Sequence, residues 1–96
     1  MISSSFHIIP AQPGYLTVYD DRERKIVEIG EPVIAWRIET TVDDNNKYIS
    51  HCIPLTVDGE VASNCIGVQN PDSTINIFFE SYHKNILELM NARYPK

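Results

Sequence analysis

Three histidines, two cysteines and five tyrosines carry most of the chemical potential of this 96-residue chain. His7, His51 and His83 with Cys52 and Cys65 are metal-ligand types, but their spacing is wrong for a metal. No C-x-x-C, H-x-x-x-H or H-E-x-x-H occurs. His51 and Cys52 are neighbours on an alternating segment, so they point to opposite faces and cannot readily share an ion. The sequence thus implies no metal and no cofactor. His51 still stands out, because it shares an alternating face with Ile49, Ile53 and Leu55. The preferred reading is a neutral histidine hydrogen-bonded within a core. The competing one is a general acid or base in a pocket, assisted by Tyr48 or His7, since histidine titrates near neutral pH unaided.

No nucleophile is placed by motif. Gly-x-Ser-x-Gly and phosphate-cradling glycine loops are missing from the sequence. Asp20-Asp21 and Asp43-Asp44 fall in expected turns, where solvated carboxylates are the simpler reading. Catalytic residues are therefore assigned to none, and a non-enzymatic role is favoured. The tyrosines are more suggestive. Tyr15 and Tyr19 alternate with Leu16 and Val18, so they lie exposed together if the aliphatic pair faces a core. Tyrosine suits interfaces because it offers large area with few rotatable bonds.

Positioning these groups requires strands. Pro32–Val42 (PVIAWRIETTV) alternates over ten positions around the only Trp. Ile34, Trp36, Ile38 and Val42 take one face, expected to be buried, and Ala35, Arg37, Glu39 and Thr41 the other, expected to be wet. Arg37 is the first residue to examine if the wet face binds anything. Tyr15–Tyr19 and Lys25–Ile29 read as further strands joined by the charged Asp20–Arg24 loop. Pro10–Tyr15, with two prolines, reads as a stiff corner or recognition loop. Asp43–Lys47 suits a hairpin connection. Tyr48–Val57 alternates, and Pro54 makes it an edge strand or a bulged one. Asp58-Gly59 is a hairpin turn signal. Val61–Val68 is a weaker strand, and Thr74–Phe79 another. From Ser81 the period changes: Tyr82, Ile86, Leu89, Met90 and Arg93 give a helical stripe that Pro95 stops. That helix could also begin near Asp72.

The expected fold is α+β: an antiparallel meander of five to seven strands with one C-terminal helix packed on it, in a single domain over residues 1–96. All connections are too short for parallel crossovers.

Composition bounds the partners. Apolar residues are 43% and charged residues 22%, which argues for an ordered domain. The net charge is −5, and the one basic cluster, Arg22–Lys25, is offset by Asp20-Asp21. Nucleic-acid binding needs clustered cations, so none is expected. No apolar run approaches the ~18 residues that span a bilayer, and the opening residues lack a secretory pattern. With two unpaired-looking cysteines, the expected location is the cytoplasm.

Phe6–Tyr15 (FHIIPAQPGY) and Pro32–Glu39 (PVIAWRIE) resemble a group of small bacterial and prophage-borne proteins of unassigned function, with an F-H-x-I-P-A-Q-P-G opening before a P-V-I-A-W strand. The resemblance covers about the first forty residues and brings no site residues or cofactor. It implies a phage-derived accessory protein. The leading expectation is a non-enzymatic interaction module that binds a protein partner, itself or both, with Tyr15, Tyr19, Arg37 and His51 as candidate binding residues. A small enzyme or ligand binder using His51 is the second reading. A phage inhibitor of a host defence or regulatory protein is the third.

Overall fold

A computed structural model describes residues 3–78 and 81–95. The end of the expected Thr74–Phe79 strand lies outside them. The chain is α+β, with antiparallel strands and a C-terminal helix, as the patterning requires. The strands are β1 (Ser3–Pro10), β2 (Leu16–Asp21), β3 (Ile26–Pro32), β4 (Ala35–Val42), β5 (Tyr48–Thr56), β6 (Gly59–Glu60), β7 (Cys65–Gln69), β8 (Ile75–Ile77) and β9 (Tyr82–His83). The helix, α1, spans Ile86–Arg93.

These strands form two sheets, not one meander. The first has the order β1-β4-β5-β6 and the second β3-β2-β7-β8-β9. All pairings are antiparallel. The chain passes between sheets at Val33-Ile34. There the Val33 amide donates to the Tyr15 carbonyl (2.9 Å) and the Ile34 amide to the Leu55 carbonyl (2.8 Å). Val33 is buried at this joint.

The core belongs to the second sheet. Val18, Val27, Ile75 and Ile77 pack with Leu89 of α1, and Ile29, Ile66, Ile86, Met90 and Tyr94 surround them. Gly67 lies in this sheet because a Cβ there would meet the Asn76 carbonyl oxygen at 2.1 Å. The helix starts at Ile86, not Ser81, because Asn85 is extended and its side chain accepts from the Glu88 amide (2.9 Å), a cap that sets the first turn. Tyr82 and His83 pair with β8 instead.

Asp20 departs from the solvated-turn expectation. It lies in β2, 4% exposed, and accepts from Arg93 Nε at 3.0 Å and from the Tyr94 hydroxyl. The carboxylate fastens the end of α1 to the sheet. Asp21 does behave as a turn residue, accepting from the Arg24 amide (3.1 Å).

Among the described residues, no helix lies over the first sheet. Every residue of β4 is only half-buried, so the alternation around Trp36 yields two half-wet faces and no buried one. The expectation of a buried Trp36 face fails because α1 covers the other sheet. The result is elongated, 46 × 28 × 24 Å, with a radius of gyration of 14.7 Å against about 12.5 Å for a compact chain of this length.

The turns of the first sheet follow local chemistry. Asp43 Oδ1 accepts from the amides of Asn45 (2.8 Å) and Lys47 (3.0 Å), while Asn46 takes a φ of +60°. The second hairpin turns at Val57-Asp58, one residue before the expected Asp58-Gly59, because Thr56 pairs with Gly59. Gly59 sits at φ +96°, open to glycine without strain. Pro54 lies in β5 where β6 no longer pairs, consistent with its edge-strand reading.

Candidate functional site

Cross-strand register places Phe6, Ile8, Arg37, Glu39, Ile49, His51 and Ile53 on one face of the first sheet. Arg37 is its centre. Its guanidinium lies 4.6 Å from the centroid of the Phe6 ring, a cation–π contact. Its Nη2 meets Glu39 Oε1 at 2.8 Å, and its Nη1 donates to Glu60. Glu60 comes from β6, so the ion pair ties the outermost strand to the sheet centre. These groups are roughly a third to two thirds exposed, and such pairs contribute about 1 kcal/mol at most. Arg37 Nε is buried with no hydrogen-bond partner among the described residues. The face therefore carries a donor whose burial is unfavourable.

His51 lies directly across β4–β5 from Glu39. Arg37 and His51 are thus diagonal neighbours on one surface. His51 also lines a cleft of about 310 Å³ whose walls include Glu39, Cys52, Pro54, Val61 and Phe78. The walls are mainly apolar. His51 is half-buried in the lining of this cleft, not sealed in a core. Partial desolvation raises the Cys52 thiol above its usual range. It is therefore protonated at neutral pH and a poor nucleophile.

Tyr15 and Tyr19 are not part of this surface. Tyr15 packs edge-on against Trp36, with centroids 5.4 Å apart and planes at 83°, at the joint between sheets. Tyr19 lies in the second sheet. Its hydroxyl donates to Glu31 Oε2 (2.8 Å), which also accepts from Thr17 Oγ1 (3.0 Å). Burial, with the Glu31 charge, pushes the Tyr19 hydroxyl up. Its own backbone amide, then Tyr19 and Thr17, holds Glu31 below the usual carboxylate range. Both tyrosines are half-buried, so they do not stand exposed together.

Tyr19 lies over Gly30, where a Cβ would come within 2.4 Å of its ring. Gly30 lies inside β3, not beyond its end. Its role is to leave room for an aromatic ring, and only cross-strand register reveals it.

The three histidines occupy β1, β5 and β9 and do not converge. Among the described residues no group of three or more His, Cys, Asp or Glu side chains could hold a metal. No helix among them is long and apolar enough to cross a membrane. Two further concavities flank Asp20, one lined in part by Asp21, Arg22 and Asn64, the other by Lys25 and Arg93. Asp20, which both share, is already occupied by Arg93 and Tyr94.

Of the exposed large apolar side chains, Phe6, Ile8 and Ile49 lie on the Arg37 face of the first sheet and Tyr48 on its other face. Phe6 is 60% exposed, Ile8 57%, Ile49 45% and Tyr48 76%. Monomers do not usually expose contiguous apolar patches beyond a few hundred Å². Comparison with known protein families, with curated proteins and with solved structures finds no match for this chain.

Proposed function

We propose that this chain is a small, non-enzymatic interaction module that binds protein through its first sheet. One observation carries the reading: Phe6, Ile8 and Ile49 stay exposed around the Arg37–Phe6 contact while the helix is spent on the other sheet. Aromatic residues and arginine surrounded by aliphatic area are the composition of interface centres. The raised Cys52 thiol and the scattered histidines give little support to catalysis. The reading includes a reducing, cytoplasmic setting, which suits the free thiols Cys52 and Cys65. A prophage origin comes with the sequence resemblance alone.

The test is retention of a defined protein by the immobilised chain, compared with a Phe6→Asp/Arg37→Ala double variant of unchanged circular dichroism. Loss of that protein in the variant is expected. Equal retention by both chains overturns the role of this face.

A second reading, a small-ligand binder, is favoured by His51, Glu39 and Cys52 lining one cleft. It predicts backbone amide shifts confined to those residues when small aromatic fragments are titrated in. Uniform or no shifts refute it.

A further inference from the structure

The interaction reading leaves the partner open, and the edge of β1 narrows it. Of the four strands that end the two sheets, β6 and β9 are two residues long, and β3 carries Glu28 and Glu31 and pairs through a register irregularity. Short length, charge and bulges are the devices that stop edges from pairing. Pro54 interrupts the outer side of β5 beyond β6 and leaves it a shorter free stretch than β1, over Tyr48–Ile53. β1 has none of these over Ser3–Ile9. It is eight residues long, pairs with β4 without a register break, and contains no Asp, Glu, Lys or Arg.

The direction of its free groups follows from one bond. The Ala11 amide donates to the Ile34 carbonyl at 3.0 Å. Strand residues alternate in the side to which they present N–H and C=O. The odd residues of β1 therefore face β4, and the amides and carbonyls of Ser4, Phe6 and Ile8 point outward. Pro10, which has no N–H, also falls on the outer side, where the strand ends.

We infer that a second copy of this chain pairs with β1 in antiparallel register about a two-fold axis at Phe6, joining two four-stranded sheets into one. In that register Phe6 faces Phe6 of the other copy, and Ile8 faces Ser4. Each outward N–H of Ser4, Phe6 and Ile8 then meets a carbonyl of the other copy. No other register of β1 on itself uses all three residues without bringing in Pro10 or residues before Ser3.

Symmetry and charge favour a second copy over a different protein, and exposed apolar area supports contact at this edge. An antiparallel edge is complementary to itself under the commonest oligomer symmetry. The chain carries a net charge of −5, yet β1 is uncharged, so two copies can meet there without like-charge repulsion across the seam. The side chains brought together, Phe6 and Ile8, are among the most exposed apolar residues of the fold. Pairing along a single edge buries less than the ~800 Å² per partner of a standard interface. The dimer is accordingly a reversible one.

Sedimentation velocity on the full chain, from low micromolar to near-millimolar concentration, tests this. The wild type is expected to move from monomer to dimer. Ile8→Pro removes one outward N–H and leaves the β4 side intact. It should weaken dimerisation on the order of tenfold or more, because the change occurs twice across the axis. Where Ile8→Pro disturbs folding, a Cys52→Ser/Cys65→Ser background decides: Phe6→Cys should form a disulfide-linked dimer on mild oxidation, and Ile9→Cys should not. A wild type that stays monomeric throughout overturns the inference, as does equal cross-linking at both positions. If that monomer still retains a partner lost in Phe6→Asp/Arg37→Ala, the interaction reading stands and only the second copy is excluded.

Discussion

Asp20→Ala should release the C-terminal helix from the sheet. The Asp20 side chain is 3% exposed, and it accepts from Arg93 Nε and from the Tyr94 hydroxyl. Hydrogen bonds to a charged group contribute about 1.5–3 kcal/mol each, and removing one partner of a buried ion pair costs about 3–5 kcal/mol. Arg93 is 25% exposed and can turn to water, so the lower part of that range applies here. The expected loss is about 2–4 kcal/mol, out of roughly 5–14 kcal/mol for a domain of this length. That corresponds to a fall in Tm of at least about 10 °C, read by thermal circular dichroism and urea titration. Asp20→Asn keeps an acceptor and should lose less. A double-mutant cycle with Arg93→Met should give a coupling of at least about 1 kcal/mol. A loss below about 1 kcal/mol for Asp20→Ala would refute the clamp, and the helix would then be held by Leu89 and its neighbours alone.

Leu89→Ala, at a fully buried position of the core, should cost about 2–5 kcal/mol in urea titration, with the larger values if the site cannot collapse. Gly30→Ala should destabilise the β2–β3 hairpin, because the new methyl meets Tyr19 and Thr17 Oγ1; Tyr19 fluorescence and amide exchange in β3 report it. Asp20 raises the Tyr94 hydroxyl above its ordinary value of 10.0 through their hydrogen bond. The fold favours the protonated form, so this contribution is complete below about pH 10 and is lost as pH rises through the raised value. The stability difference between wild type and Tyr94→Phe should therefore shrink in strong alkali. A thiol reagent at pH 8 should modify exposed Cys52 before half-buried Cys65, whose thiol is pushed up by deeper burial; mass spectrometry gives the order.

Local chemistry made most of the elements legible. A period of two reveals β2, β4 and β5 because alternate side chains must face opposite ways. Asp43–Lys47 declares a turn because its side chain can satisfy its own backbone. Pro54 marks an edge because it lacks an N–H. Parity assigns Arg37 to the polar face of its strand and His51 to the apolar face of its own, and only the β4–β5 register shows that these are one face. Their neighbours Phe6 and Glu60 come from strands far away in sequence, and no local pattern announces that they meet.

Burial was the property that sequence left undecided. Alternation states which residues share a face, but it does not state which face another element covers. The one helix could cover only one sheet, and long-range packing of Leu89 against Val18 and Ile75 sent it to the second. That choice turned Trp36 from a core residue into half-exposed surface, Asp20 from a turn carboxylate into a buried anchor, and β1 into an uncharged open edge. Each outcome depends on pairings between distant segments, whose energies are set by three-dimensional contact and are invisible to spacing along the chain.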